Sequence, residues 1–275
     1  MSLSKWDLQE PPNSSQSNIQ CFIDSVTPIV PTQAIEKVTK EECFFSFKDL
    51  WEYYIEWSIY GVSVPIILQN GECVVQYYSP SLSALQIFAT KPSSISCRNS
   101  ETSLDRSVDR HGFLYCQFNE TSSPYSRVPF TEKINELAQT YEDLLKFKST
   151  DVSPYSWMAV AWYPIYQIPI VRNVKELSAC FLTYHKLSTS SSLEGYLTNS
   201  TAKEGMSWSK GNNRGGEITI APFAMATYKM YGTLWTNPES SDQKMILSHL
   251  NAASSWLNQL RFWHHDFDFF MSRRL

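Results

Sequence analysis

The longest uncharged stretch of the chain, Val152 to Val171 (VSPYSWMAVAWYPIYQIPIV), sets the pattern for the rest. Its length matches a membrane-spanning helix. Pro154, Pro164 and Pro169 interrupt it, however, and inside a helix each proline would remove a backbone donor and clash with the preceding turn. Trp157 to Tyr163 therefore reads as a strand with both faces apolar, the pattern of a central, covered strand. Pro164 ends or bends it, and Ile165 to Ile168 continues extended. A second apolar run, Ala179 to His185, supplies a neighbouring strand.

Around this pair the spacing of apolar positions predicts the other elements. Asn18 to Pro31 holds a short helix leading into an extended, proline-bounded segment. Ser46 with Asp49 has capping-box character and opens a helix with two apolar stripes. One comprises Leu50, Trp51, Tyr54, Ile55 and Ile59, the other Tyr53, Trp57 and Tyr60, which leaves Glu52 and Glu56 for water. Such a helix is expected to be buried on most sides and to stop at Gly61. Val64–Leu68 and Cys73–Tyr78 form a hairpin around Asn70-Gly71, a pair that supplies the positive φ values of a tight turn. Ser79-Pro80-Ser81 reads as a further turn before a third strand, Leu82–Phe88, which completes an antiparallel meander. Gly112–Phe118 alternates as a strand. Thr131–Lys148 is the clearest helix, with Ile134, Leu137, Ala138, Tyr141, Leu144 and Leu145 on one face. Glu217–Trp235 reads as strands broken at Pro222 and Gly232. A last helix opens with a capping box of Ser240 and Gln243 and buries Ile246, Leu250, Ala253, Leu257 and Leu260. The tail, 264–270, is apolar enough to dock on the core in extended form.

These elements amount to an α+β fold: a mainly antiparallel sheet with three or four packed helices, in a single domain over 18–273. A flexible leader (1–17) precedes it, and two Ser-rich loop insertions, about 90–111 and 188–216, are expected to be disordered. The 275 residues lie close to the size at which one core stops growing. A charged fraction of 18% and a net charge of −4 leave no electrostatic footprint for nucleic acid. The six cysteines, at 21, 43, 73, 97, 116 and 180, contain no C-x-x-C pair, so a cysteine-based metal site is not expected. The N-terminus has no apolar core of a secretory signal. A reduced, intracellular chain, cytoplasmic or nuclear, without a membrane span is the expectation.

Candidate chemistry is sparse. No G-x-S-x-G, P-loop or dinucleotide fingerprint occurs, and Gly211-Asn-Asn-Arg-Gly-Gly follows a loop rather than a strand. His264-His265-Asp266-x-Asp268 has metal-binding residue types, but neighbours on an extended tail point opposite ways. We assign no catalytic residue, metal or cofactor. His185 beside Tyr184 offers a general base; set against this is a hydrogen-bonded core histidine. The aromatic strand offers a groove for a ligand or a Pro-rich peptide, formed by Trp162, Tyr163, Tyr166, Tyr184 and His185. The competing reading is that aromatics at sheet spacing are core. The preferred function is a non-catalytic interaction or regulatory module with an unidentified protein partner. The alternative is an enzyme or small-molecule-binding protein with a pocket near His185.

A series of blocks then stands out: Asp49-Leu50-Trp51-Glu52 with Glu56-Trp57-Ser58-Ile59-Tyr60-Gly61; Val75-Gln76-Tyr77-Tyr78; Pro124-Tyr125-Ser126-Arg127; Trp162 to Pro169; Ala179 to His185; Tyr228-Lys229 with Gly232 to Trp235; and Asp266 to Phe270. In order and content the chain resembles the plant family known as domain of unknown function 789, over roughly 18–273. It departs in its loops: the segment around 34–44 and the Ser-rich insertions are shorter, and His264-His265 stands where one histidine is expected. The resemblance implies a plant intracellular protein and brings no catalytic residues with it.

Overall fold

The computed structural model of the chain describes residues 16–37, 40–91, 111–165, 175–189, 207–209, 216–236 and 241–273. The chain runs α1 (Asn18–Ser25), β1 (Ile29–Pro31), β2 (Gln33–Lys37), β3 (Lys40–Phe44), α2 (Phe47–Tyr60), β4 (Val62–Ile67), β5 (Cys73–Ala89), β6 (Phe113–Asn119), α3 (Phe130–Thr140), β7 (Trp157–Ile165), β8 (Cys180–Lys186), β9 (Ser207–Ser209), β10 (Glu217–Thr219), β11 (Ala224–Tyr228), α4 (Asp242–Leu260) and α5 (His265–Ser272). The fold is α+β. Its centre is an antiparallel sheet in the order β11-β8-β7-β5-β4, with β6 on the far half of β5; β1-β10-β9 and β2-β3 form two smaller sheets.

Side-chain alternation along each strand gives the central sheet two unlike faces. On one, Tyr78, Leu82, Met158, Val160, Trp162, Phe181 and Met225 join the large core. Helices α1 and α2 cover it with Phe22, Leu50, Trp51, Tyr54 and Trp57. On the other, Ala84, Ala159, Ala161, Cys180, Ala224 and Ala226 make a low floor that Trp157, Leu182 and Tyr184 punctuate. Helices α4 and α5 cover that face with Leu250, Ala253, Trp256, Leu257 and Phe270.

The pleated reading of 157–163 holds: every residue from Trp157 to Trp162 is wholly buried. Pro164 does not end the strand, because it lies past Trp162, the last β7 residue that β8 pairs, where a missing N–H breaks no ladder bond. The same reason corrects the turn expected at Ser79-Pro80-Ser81, which runs straight through as part of β5. Strand β4 pairs β5 over Cys73–Tyr78 and β6 pairs it over Ala84–Ala89. Pro80 therefore falls in the gap between them. A bulge in the pairing with β7 lies in the same gap, between Leu82 and Ala84.

Three helices also differ from expectation. α3 stops at Thr140, where Tyr141 leaves helical geometry and Tyr115 Oη accepts the Asp143 N–H at 2.9 Å. The following turn delivers Leu144 and Phe147 to the core. α2 begins and ends as predicted, with Ser46 Oγ accepting from the Lys48 N–H. A side chain at Gly61 (φ +76°) would meet Ile165 Cδ1 at 2.7 Å and Tyr78 O at 3.0 Å. Yet Ile55, Ile59 and Tyr60 are 47%, 65% and 70% exposed, so α2 is buried on one side rather than most. The tail is the helix α5, not an extended segment, which raises the count beyond the three or four expected. α4 starts after Ser241, whose side chain makes no cap bond; Ser240 lies outside the described residues. So do most of the two Ser-rich insertions, although Ser207–Ser209 within the second pairs with β10. No described helix is long and apolar enough to cross a membrane.

Candidate functional site

The small-residue face is not covered along its whole length. At the end where β7 leaves β8, a transverse row of side chains crosses four strands. Ser79 pairs with Tyr163 and Cys180 with Tyr228, and one further step in register sets Tyr163 opposite Cys180. Above this floor is a cavity of about 510 Å³, within the range of small-molecule sites. Phe269 of α5 forms one wall, and the loop from Ser123 to Pro129 forms another. Tyr125 stands on that loop fully in water, 99% exposed.

The loop is held by a buried polar chain beneath the cavity. Arg127 and Asp266, whose side chains are 3% and 1% exposed, form a bidentate pair with two N–H···O bonds of 2.7 Å. Arg127 also donates to Ser122 O from Nε and Nη2 and to Tyr163 Oη from Nη1. All five guanidinium donors are thus occupied. The Ser83 hydroxyl, placed by the β5 bulge, donates to Asp266 Oδ2 at 2.5 Å. His264 Nε2 lies 2.9 Å from the same Ser83 oxygen, and Tyr184 Oη lies 2.9 Å from His264 Nδ1. Because the single Ser83 proton goes to the carboxylate, donor counting puts the His264 proton on Nε2 and leaves Nδ1 to accept from Tyr184.

Electrostatics follow from burial. Desolvation pushes His264 down to about 4, against the opposing pull of Asp266, so the ring is neutral. Burial alone would raise the Asp266 carboxyl, but the hydrogen bonds from Arg127 and Ser83 outweigh it and hold the group below the usual carboxylate range. Burial pushes the Cys180 thiol up to about 12, with Lys229 opposing, so it stays protonated and is a poor nucleophile.

Ser83, His264 and Asp266 have the residue types of a hydrolytic triad but the wrong proton flow. In such a triad serine donates to histidine, and the carboxylate orients the other ring nitrogen. Here serine donates to the carboxylate and accepts from histidine, and Ser83 is wholly buried. The arrangement pins α5 to the sheet. Among the described residues, no group of three His, Cys, Asp or Glu could hold a metal ion.

The structure scatters the sequence candidates. Tyr163 forms the cavity floor. Tyr184 is wholly buried on the same face and belongs to the polar chain. Trp162 and His185 point to the opposite face and are wholly buried. There Trp162 Nε1 donates to Thr183 Oγ1 at 2.9 Å, and His185 bonds Thr183 Oγ1 and Ile220 O, each at 2.9 Å. Desolvation lowers His185 to about 4, partly offset by the Ile220 carbonyl. His185 is not part of the cavity lining. Tyr166 lies outside the described residues. Sequence reasoning missed Ser79, Arg127, Cys180, Tyr228, Lys229 and Phe269 as a group. The available signal was that segments 124–127, 162–165, 228–229 and 266–270, all part of the family-like series, meet around one hollow.

The profile of the family described as "Protein of unknown function (DUF789)" matches residues 17–109 and 93–270. The chain belongs to that family. No curated protein and no solved structure matches it.

Proposed function

We propose that this DUF789 protein is a non-catalytic binding module, acting as a single domain over 18–273, whose recognition site is the cavity floored by Ser79, Tyr163, Cys180 and Tyr228. One observation carries the reading. The acid–base groups beneath the cavity are tied to one another, while Tyr163, Tyr228 and Phe269 line an open hollow. A site with occupied proton carriers and apolar walls binds rather than reacts. The partner is intracellular in this reading, as befits five cysteines, Cys21, Cys43, Cys73, Cys116 and Cys180, that are free thiols; the plant setting rests on the family resemblance. No observation favours chemistry at His185, whose ring nitrogens are both bonded inside the core.

A thermal-shift screen against metabolites and short peptides tests the reading. A true ligand at 100 times its dissociation constant adds about 2.7 kcal/mol of stability. Ser79→Phe, which places a ring in the cavity, should abolish that shift while leaving the fold intact. Hits that survive Ser79→Phe, or turnover that Ser83→Ala removes, would overturn the proposal.

A further inference from the structure

We infer that the cleft between α4 and α5 binds a free α-amino acid with a large apolar side chain, its carboxylate held by Arg261 and its ammonium by Asp268. The cleft has a volume of about 370 Å³, within the range of small-molecule sites. It shares no lining residue with the hollow floored by Tyr163 and Tyr228. Helical spacing builds it. Ser254, Leu257, Asn258 and Arg261 lie at i, i+3, i+4 and i+7 and form one stripe at the C-terminal end of α4. His264, Phe267 and Asp268 repeat that spacing at the start of α5. The connector from Arg261 to His264 brings both stripes onto one cleft, which Phe262 also lines. Leu257 is buried and Phe262 and Phe267 are half-buried, whereas Asn258, Arg261 and Asp268 are exposed. That division provides an apolar seat for a side chain and a polar rim for charged ends.

The rim charges specify those ends. Arg261 and Asp268 border the same cleft with opposite sign. Yet among the described residues neither side chain makes an ion pair or a hydrogen bond, with the other or elsewhere. Asp266, two residues before Asp268, is by contrast saturated by Arg127. Burial, then Asp266 and Asp268, raise the Tyr184 hydroxyl. Tyr184 bonds His264 at the back of the cleft, so the Asp268 charge is felt on the cleft side of α5. An α-amino acid answers both rim groups, with opposite charges one carbon apart and its side chain on that same carbon. Arginine receives a carboxylate through two parallel N–H···O bonds, and an aspartate accepts from an ammonium. Backbone strain marks the same place. Arg261 closes α4 in the left-handed region at φ 50°, where glycine or asparagine is usual. The negative end of the helix dipole accounts for a cation in the last turn but not for this conformation, which is concentrated at ligand clamps.

Titration calorimetry of the full chain with L-phenylalanine, N-acetyl-L-phenylalanine and L-phenylalaninamide tests this. The three share one body, and the second and third each lack one charge. Phenylalanine should bind about tenfold more tightly than either, as one hydrogen-bonded charge at a partly exposed rim implies, and the margin should narrow with salt. Asp268→Asn should bring phenylalanine and N-acetylphenylalanine to equal affinity. Arg261→Gly should equalise phenylalanine and phenylalaninamide while raising the denaturation midpoint, because glycine suits the left-handed cap. Near-ultraviolet circular dichroism confirms that each variant folds. A lowered midpoint with unchanged affinity in Arg261→Gly would give Arg261 a structural role only and overturn the assignment. Ser79→Phe, which fills the other hollow, should leave phenylalanine binding unchanged; lost binding would place the probe in that hollow and overturn the second site. N-acetylphenylalanine binding as tightly as phenylalanine would assign the cleft to a polypeptide C-terminus, and phenylalaninamide doing so would assign it to an N-terminus. Either result overturns the free amino acid. Failure of phenylalanine to bind, or tighter binding of glucose, which offers hydroxyls without charge, overturns the proposal outright.

Discussion

Strand β7 is buried on both sides, but its two sides solve different problems. Met158, Val160 and Trp162 face helices α1 and α2 with bulk, and stability there comes from filling space. Ala159 and Ala161 face α4 and α5 with almost no side chain, and those helices sit closest to β11 at the edge of the sheet. That face keeps its register through polar bonds: Ser83, Tyr184, His264, Asp266 and Arg127 form one connected chain. Where the chain of polar bonds ends and the covering helices stop, the floor remains open as the cavity. A small-residue face thus leaves a hollow at its uncovered end, while the described residues of the bulky face are packed with large side chains.

The largest effects should come from removing the characteristic element of each face. Asp266→Ala leaves Arg127 buried and unpaired, at a cost of about 3–5 kcal/mol, whereas replacing both partners, as in Arg127→Met with Asp266→Leu, should recover most of that loss. Trp162→Ala should cost about 4 kcal/mol by opening a void, and no second substitution on its own face should restore it as simply. Urea denaturation of the three variants reads the contrast. Equal, unrecovered losses on both faces would show that packing governs both.

Each face also buries one neutral histidine, His185 on the bulky side and His264 on the other, and both are lowered to about 4. The unfolded chain binds those protons below about pH 6.5, but the native state resists them until about pH 4. In that window the unfolded state holds more protons, so stability falls as pH falls. At pH 5 each histidine should have removed about 2 kcal/mol relative to pH 7.5, at about 1.4 kcal/mol per pH step. His264→Gln and His185→Gln should each halve the pH dependence between pH 7.5 and 5, measured by denaturation at both values. A variant whose pH profile matches the unmodified chain would show that its histidine is protonated in the folded state.

The sheet was legible because its signals are local. Proline spacing rejected the membrane helix, Asn70-Gly71 marked the hairpin, and Ser46 with Gly61 bounded α2. The errors share a cause: local rules applied where a neighbour's position decided. Pro80 reads as a turn until the gap between β4 and β6 is seen, and the helix expected through Lys148 stops at Thr140 because Leu144 and Phe147 are drawn to the core. The site was legible only in part. Tyr163 could be singled out from its strand, but Cys180, Tyr228 and Arg127 join it through register and a distant ion pair. The parity that places Tyr163 in the cavity sends Trp162 and His185 to the other face.

Overpacking separates the faces at a smaller scale. Ala161→Leu adds bulk at a wholly buried position of the floor and should cost about 1–3 kcal/mol. It should also lower affinity for any cavity ligand, since Ala161 lies two residues before Tyr163 on the same face. A stabilising Ala161→Leu would show that the floor contains unfilled space under α4 and α5.

The smallest contrast compares two buried tyrosines. On the bulky face the Tyr54 hydroxyl is buried without a hydrogen-bond partner, while its ring stacks on Phe130 at a centroid distance of 4.1 Å. On the other face the Tyr184 hydroxyl bonds His264 Nδ1 at 2.9 Å. Tyr54→Phe removes a desolvated polar atom and breaks no bond, so it should be neutral or stabilise by up to about 1 kcal/mol. Tyr184→Phe is the same chemical change, but it strands an imidazole nitrogen in the interior and should cost about 1–2 kcal/mol. Opposite signs from one deleted oxygen, read as shifts in denaturation midpoint at constant slope, would confirm that one face is held by volume and the other by connected polar groups. Equal destabilisation would show that the Tyr54 hydroxyl has a bonded water and that the bulky face depends on polar bonds beyond those of Trp162, Thr183 and His185.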